Sequence, residues 1–227
     1  MKLEIPLLVS LVGLGGLALS MVWGGGLQGK AEVRPAEKLE PGEQHLILGG
    51  GCFWCYEGMF EILKGVRTVE VGYAGGARPN PTYEQVCSGV TGHAEVFRVI
   101  YDPKLISADD LLRIFFTVHD PTTLNRQGSD VGTQYRSVIF YESPKEKERA
   151  ERIIAEITRE KIWKDPIVTT LEPLKNYSRA EEYHQDYFEK YSKASEAERM
   201  GMNGGYCKAI ISPKVAKFRQ KFAHLLK

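Results

Sequence analysis

A glycine-rich junction between an apolar run and a helical pattern constrains the fold of this chain most strongly. Residues 45–48 read His-Leu-Ile-Leu and predict a buried strand, and the three glycines at 49–51 predict a tight turn. Residues 53–63 then have the pattern of a helix, and alternation at 66–73 indicates a second strand. The sequence therefore predicts a strand, helix, strand unit around Cys52.

Cys52 lies at the predicted N-terminus of this helix. Free backbone N–H groups and the positive end of the helix dipole lower the pKa of a thiol there, so Cys52 is a candidate thiolate nucleophile. Phe53 and Trp54 follow it and suggest an apolar wall for an uncharged, methyl-bearing substrate. The alternative is that Cys52 is a small packed residue and the two aromatic side chains belong to the core.

The charge balance excludes one large class of function. The chain has 227 residues with 30 basic and 29 acidic side chains, so it lacks the positive bias of a nucleic-acid binder. This length suits one catalytic domain with extensions.

The N-terminal region predicts a location outside the cytoplasm. Residues 5–23 are apolar apart from serines and glycines and are just long enough to span a bilayer, so 1–29 is interpreted as a signal or membrane anchor. An uncleaved tether is favoured over a cleaved peptide, and a buried core helix is the third possibility. Residues 30–43 are predicted as a linker, 44–207 as the catalytic domain and 208–227 as a helical extension. The domain is expected to be periplasmic, membrane-anchored or secreted.

The four cysteines point to thiol chemistry. Cys52, Cys55, Cys87 and Cys207 are too few and too dispersed for a disulfide scaffold, and a single close pair argues against a structural zinc site. Cys87 is predicted to be buried and inert. Cys207 follows several glycines, which predict a mobile arm that brings this distant thiol to Cys52.

Glu95 is the candidate acid. Residues 94–101 alternate so that Glu95 shares a face with Phe97 and Val99, whereas Arg98 points the other way. Burial on an apolar face favours the protonated carboxyl, which is then a proton donor. The alternative is a glutamate at the strand end in a surface salt bridge.

Further site residues are predicted from loops. Residues 120–135 form a long polar segment, and its Asp130 and Tyr135 are candidate contacts. Tyr83 begins a short helical turn after a loop rich in glycine and proline.

Two histidines are interpreted as structural. His119 ends the inner stripe of a helix capped by Ser107, and His184 lies in a helix predicted for 179–191. Neither has another ligand at metal-binding spacing.

Several spaced motifs resemble one family. They are Gly51-Cys52-Phe53-Trp54, Pro81-Thr82-Tyr83, Cys87-Ser88-Gly89, Gly92-His93-Ala94-Glu95, His119-Asp120-Pro121, Asn125-Arg126-Gln127-Gly128 and Gln134-Tyr135-Arg136-Ser137. Together they resemble peptide methionine sulfoxide reductase A over residues 44–207.

The resemblance implies an α+β fold with a ferredoxin-like two-layer core, a mixed β-sheet, long loops and an irregular Gly-rich C-terminal arm. It implies reduction of methionine-S-sulfoxide, free or in proteins, without metal or other cofactor, with electrons from thioredoxin or a thioredoxin-like protein. The expected partners are that reductant and oxidised proteins, and a monomer is expected.

The same resemblance implies residue roles. Cys52 attacks the sulfoxide sulfur, Glu95 protonates the oxygen, and Tyr83 and Tyr135 donate hydrogen bonds to that oxygen. Cys52 then becomes a sulfenic acid, which condenses with a second thiol.

Other matching positions form the pocket and the recycling thiols. Phe53 and Trp54 match the pocket for the substrate methyl, and Asp130 matches a supporting residue. Cys207 matches the usual recycling position and is slightly favoured, whereas Cys55 departs from the small residue of many relatives and lies one helical turn from Cys52. Both are kept as resolving thiols, with a relay through Cys55 included.

Two other functions compete. A thioredoxin-like disulfide oxidoreductase would use Cys52 and Cys55 as its CxxC motif, but leaves Glu95, Tyr83 and Tyr135 without a role. A membrane-tethered module that binds oxidised methionine without reducing it is the third hypothesis.

Overall fold

The computed structural model of this protein describes residues 32–227. The predicted signal or anchor at 1–29, with its apolar stretch at 5–23, lies outside the described residues. Within the described range, no helix has both the length and the apolar character needed to cross a bilayer.

The core is a six-stranded mixed sheet. Its spatial order is β7, β6, β1, β3, β2, β8, and all neighbours are antiparallel except β6 and β7. The strands are β1 (Gln44–Gly49), β2 (Val66–Ala74), β3 (Ala94–Tyr101), β6 (Val138–Tyr141), β7 (Thr170–Pro173) and β8 (Ser178–Arg179), with a separate hairpin of β4 (Arg126–Gln127) and β5 (Asp130–Val131).

Helices connect and cover these strands. They are α1 (Phe53–Phe60), α2 (Tyr83–Cys87), α3 (Ala108–Val118), α4 (Pro144–Arg159), α5 (Tyr187–Lys193), α6 (Glu196–Met200), α7 (Gly204–Tyr206) and α8 (Ser212–Lys221), with a π-helical turn at Cys207–Ile211. Helix α1 joins β1 to β2 and α3 lies between β3 and β6. These two split βαβ units interleave, so the predicted α+β, ferredoxin-like core is confirmed.

Along each strand, every second side chain points to the face of the sheet that the helices cover. Leu46 pairs with Val99 and Leu48 with Phe97, and all four lie in the main core with α1 and α3. Phe97 stacks on Tyr56 of α1 with ring centroids 4.7 Å apart. Burying each such aromatic ring stabilises the fold by about 1.5–3 kcal/mol, so this contact fixes α1 over the centre of the sheet.

The C-terminal segment contains the helical extension that was predicted after Cys207. Residues 204–221 are helical almost throughout, and Ile211, Val215 and Phe218 are buried in the main core. Apolar residues at helical spacing give this segment its buried face. The predicted extension at 208–227 is therefore packed with the catalytic domain.

The prediction of a helix at 179–191 is wrong for the first half of this segment. Arg179 pairs with β2 in β8, and Asp186 has a φ of 52°, which interrupts a helix. Helix α5 begins only at Tyr187. Its first N–H groups are capped by the buried Glu57 carboxylate, which accepts from Asp186 N at 2.6 Å and Tyr187 N at 2.9 Å.

Candidate active site

The glycine turn positions Cys52 by close packing. Gly51 has a φ of 111°, and a Cβ there would lie 2.6 Å from the Gln127 side chain. A Cβ on Gly49 would lie 2.8 Å from Val138 Cγ1. Glycine therefore lets the turn pass between neighbouring elements, and Cys52 becomes the residue that precedes α1, as predicted.

Glu95 lies beside this helix start as a buried carboxyl. It is 2% exposed, and its Oε2 accepts a hydrogen bond from Phe53 N at 3.2 Å. Burial raises the pKa of Glu95 to about 8, although the Phe53 N–H lowers it in part. The carboxyl is protonated at neutral pH, so the predicted burial is confirmed and the surface salt bridge is excluded.

The predicted low pKa of Cys52 is wrong for the resting structure. Burial raises the pKa of the Cys52 thiol well above its ordinary value, and the hydrogen bond to Cys55 and the charges of Cys55 and Glu95 act in the same direction. Three effects that disfavour charge outweigh the helix dipole. At neutral pH Cys52 rests as a thiol.

The pKa of Cys55 is shifted in the opposite direction. It is fully buried one turn into α1, and its backbone N–H donates to the Cys52 carbonyl oxygen at 3.2 Å. The hydrogen bond from the Cys52 thiol lowers the pKa of Cys55, and this effect exceeds the desolvation. The charge of Lys214 also lowers this pKa, from an ammonium 3.9 Å from the Cys55 sulfur.

Tyr83 and Tyr135 lie on the Glu95 side of the site. Burial raises the pKa of each phenol, and the Glu95 charge is the next cause for both. Each hydroxyl therefore remains a hydrogen-bond donor over the ordinary pH range. Tyr83 is held by its backbone N–H, which donates to Glu181 Oε1 at 3.0 Å.

The two side chains predicted as an aromatic wall differ in burial, since Phe53 is 1% exposed and belongs to the main core whereas Trp54 is partly buried against it. Trp54 stacks on Tyr187 with centroids 3.8 Å apart and planes at 9°, and Phe53 lies 5.1 Å from the His184 ring. Burial lowers the pKa of His184 to about 4, so this ring is neutral. The wall is uncharged and suits an apolar group.

Tyr206 is a site residue that was not predicted. Its hydroxyl donates to Asp130 Oδ2 at 2.8 Å and lies close enough to Cys52 to lower the pKa of that thiol slightly. This contact accounts for the presence of Asp130 in the site. The only signal in the sequence was its position immediately before Cys207, and no local pattern indicates that it returns to α1.

Glu181, His184 and Tyr187 were also not predicted as site residues. The Glu181 carboxylate accepts from Tyr73 Oη at 2.8 Å as well as from Tyr83 N. All three lie in the segment interpreted from sequence as a charged and aromatic helix. Its actual turn conformation directs these side chains inward.

The two remaining cysteines differ from their predictions. Cys207 is buried, and burial raises its pKa to about 11, so it is a poor nucleophile at rest. Cys87 is exposed rather than buried, because its short helix α2 has only Val86 in the core.

His119 has the structural role that was predicted. Its Nδ1 lies 2.6 Å from the Phe115 carbonyl oxygen and its Nε2 lies 2.8 Å from Ser137 Oγ. Among residues 32–227, no group of three or more His, Cys, Asp or Glu side chains has the geometry to hold a metal ion.

A pair of adjacent cysteines beside a buried, protonated carboxyl and two phenols defines a thiol-dependent oxidoreductase site. A sequence model described as "Peptide methionine sulfoxide reductase" matches residues 44–225. The chain belongs to the peptide methionine sulfoxide reductase A family, and it is an oxidoreductase that reduces peptide methionine sulfoxide.

Relatives and solved structures agree with this assignment. The enzyme MsrA of Polynucleobacter asymbioticus is 48% identical over 190 residues, covering 84% of this chain and 95% of the relative. The Chromobacterium violaceum enzyme is 52% identical over 180 residues, covering 79% and 97%. The reduced form of Mxr1 from Saccharomyces cerevisiae superposes with a TM-score of 0.64 at 38% identity, covering 70% of this chain and 91% of the yeast chain. Methionine sulfoxide reductase A of Corynebacterium diphtheriae gives 0.59 at 36%, covering 69% and 78%.

Proposed function

We propose that this enzyme reduces the S epimer of methionine sulfoxide, free or in oxidised proteins, and is recycled by a thioredoxin-type reductant without a metal or other cofactor. The observation that carries the proposal is the protonated Glu95 beside the sulfur of Cys52. A sulfoxide oxygen leaves sulfur readily only after it takes up a proton, so a thiol alone is insufficient.

In the first step, the oxygen moves from the substrate sulfur to Cys52. The Cys52 sulfur loses its proton and bonds to the sulfoxide sulfur, while the Glu95 proton is transferred to the oxygen. The hydroxyl then passes to the Cys52 sulfur as the bond between the two sulfurs breaks, so methionine leaves, having gained two electrons, and Cys52 remains as a sulfenic acid. Tyr83 and Tyr135 donate hydrogen bonds to the oxygen as its negative charge develops.

Selectivity comes from the aromatic wall. Trp54 receives the S-methyl group with the buried Phe53 packed behind it, and the stack of Trp54 on Tyr187 fixes the indole plane. Asp130 orients Tyr206 against Cys52 through its 2.8 Å hydrogen bond. We infer that the S epimer is selected because it can place its oxygen at Tyr83 and Tyr135 and its methyl group against Trp54 while its sulfur faces Cys52.

In the second step, Cys55 resolves the sulfenic acid. Its sulfur already hydrogen-bonds Cys52 and its pKa is lowered, whereas the pKa of Cys207 is raised. Cys55 attacks the Cys52 sulfur, a disulfide forms and water leaves. Cys207 acts after Cys55 by thiol–disulfide exchange and passes the electrons of the external reductant inward.

We expect serine variants of the two candidate resolving thiols to behave differently in a recycling assay. Cys55→Ser should still form up to one methionine per enzyme, but turnover with thioredoxin should fall by at least about tenfold, because no adjacent thiol closes the disulfide. Cys207→Ser should lose thioredoxin turnover yet still form the disulfide with Cys52. Cys87→Ser is the control, since it removes an exposed thiol that has no part in the disulfide route and leaves a hydroxyl able to keep the hydrogen bond to Tyr83. Thiol counting after one turnover measures each step, and full disulfide formation in Cys55→Ser would assign resolution to Cys207.

The reaction itself is tested with separated sulfoxide epimers. Purified enzyme with dithiothreitol should form methionine from the S epimer and leave the R epimer unchanged. Insulin reduction in parallel tests the thioredoxin-like alternative, which the raised pKa of Cys52 disfavours because such exchangers need a low-pKa attacking thiol. Insulin reduction without methionine formation would overturn the proposal.

The extracytoplasmic location is proposed from the sequence alone. Residues 5–23 have the apolar length of a membrane tether or export signal. Cell fractionation with N-terminal sequencing of the mature protein tests it, and an enzyme recovered with the cytoplasmic fraction would contradict it.

A further inference from the structure

The resting state of Cys52 poses a chemical requirement. Cys52 is a thiol in this structure, and a thiol is a much weaker nucleophile than its thiolate. Its proton must therefore leave as the sulfur attacks. Glu95 is not an acceptor for that proton, because it is itself protonated and gives its proton to the oxygen.

We propose that Lys214 of the C-terminal helix α8 holds Cys55 as a thiolate, and that this thiolate accepts the Cys52 proton during the attack on the sulfoxide. The proposal rests on the function given above, and it assigns the proton acceptor that the first step requires.

The position of Lys214 carries the inference. Its Nζ lies 3.9 Å from the Cys55 sulfur, and the stem crosses a partly buried surface where α8 packs on α1. Within residues 32–227, the Lys214 ammonium forms no ion pair with a carboxylate, so its charge is directed to this sulfur. An ammonium beside a fully buried thiol favours the ionised thiol, since the charge is compensated where water is excluded.

Hydrogen bonds complete the surroundings of Cys55. The Cys52 thiol lowers the pKa of Cys55 most strongly, and the nearby Tyr206 hydroxyl, which donates to Asp130, lowers it slightly. With the Lys214 ammonium 3.9 Å away, these neighbours favour the anion of Cys55. The titratable or charged groups around Cys55 are Cys52 and Tyr56 on α1, Glu95 on β3, Asp130 on β5, Tyr206 on α7, Cys207 in the π-helical turn and Lys214 on α8.

The charges of these groups act on the Cys55 anion in opposite directions. Asp130 raises the pKa of Cys55, and the thiol of Cys207 is neutral at ordinary pH because its own pKa is about 11. Glu95 is neutral below about pH 8. Lys214 is the one cation in this set, so its removal should leave the Cys55 anion without charge compensation.

The protons balance over the two steps. In the first, the S–H bond of Cys52 breaks and an S–H bond forms on Cys55, while Glu95 supplies the proton on the sulfenic oxygen. In the second, Cys55 attacks the sulfenic sulfur and its new proton leaves with the hydroxyl as water. The Cys52 sulfur is reduced, the Cys55 sulfur is oxidised, and one disulfide results.

The test is single-turnover methionine formation without reductant. Lys214→Met should slow it near pH 7 by up to about tenfold for each unit by which the pKa of Cys55 rises. Below about pH 8, where Glu95 keeps its proton, the rise of rate with pH should shift to higher pH. Lys214→Arg should restore the rate in large part, and Lys217→Met, an exposed change on the same helix, should match the parent enzyme.

A second measurement reads the thiolate directly. The ultraviolet absorbance of the Cys55 thiolate, taken as the difference between the enzyme and Cys55→Ser, should titrate at higher pH in Lys214→Met. An unchanged titration with an unchanged rate would overturn the role of Lys214.

Two outcomes distinguish a failure of this proposal from a failure of the proposed function. If the parent enzyme forms methionine and Cys55→Ser forms it at the same rate, Cys55 is not the acceptor, while the proposed function stands. If the parent enzyme forms no methionine from the S epimer, the function itself is contradicted.

Discussion

Replacing Cys52 with serine is expected to reduce methionine formation by about 10⁴-fold or more. Serine keeps the size of the side chain, but its hydroxyl has no accessible anion at neutral pH and does not form a stable sulfenic acid analogue. Every later step depends on oxygen transfer to this sulfur, so no alternative thiol in the site compensates. Methionine released from the S epimer under excess dithiothreitol measures the effect.

The matched control is Cys87→Ser, which removes an exposed thiol on α2 and should retain most of the parent activity, because the serine hydroxyl can keep the hydrogen bond to Tyr83. Circular dichroism should show that both variants keep the fold, since Cys52 retains some exposure and serine fits its space. Parent-like activity in Cys52→Ser would reassign the nucleophile and remove the basis of the mechanism.

Replacing Glu95 with glutamine should lower the rate of methionine formation by about 10²–10⁴-fold. The amide preserves the volume and still accepts the Phe53 N–H bond, 3.2 Å long in the parent, so binding should change little. It has no acidic proton to give to the sulfoxide oxygen. The loss should therefore lie in kcat rather than KM, and a loss below tenfold would show that Glu95 is not the acid.

The protonation state of Glu95 can be measured directly by infrared spectroscopy. The carboxyl is neutral below its pKa of about 8 and ionises as pH rises through that value, which is the direction that burial imposes. Infrared difference spectra between the parent and Glu95→Gln should contain the stretch of a protonated carboxyl at pH 6, and this band should disappear above pH 9. Its absence at pH 6 would contradict a buried acid.

Local sequence patterns predicted the centre of the site. The strand, glycine turn and helix around Cys52 follow from short-range periodicity, and β3 was predicted at its observed bounds. Glu95 was placed on the apolar face because strand alternation fixes sidedness wherever one face is buried. Predictions of this kind depend only on residues that are neighbours in the sequence.

Patterns failed where distant contacts decide the backbone. The segment at 179–191 has the composition of a helix, but pairing of Arg179 with β2 and capping by Glu57 delay the helix to Tyr187. The glycines before Cys207 gave no sign that Tyr206 hydrogen-bonds Asp130, 76 positions earlier in the chain. In both cases contacts between distant residues decide the outcome.

The sequence by itself determined the chemistry available to this protein: a cysteine at a helix start, a carboxyl on a buried strand face and the motifs of its family. Only the tertiary structure decided which thiol has the lower pKa. Burial, Cys55 and Glu95 raise the pKa of Cys52, and Lys214, 159 positions away from Cys55 in the chain, lowers that of its neighbour. Proton affinity inside a protein depends on desolvation and on charges brought close by folding, and no local pattern contains either.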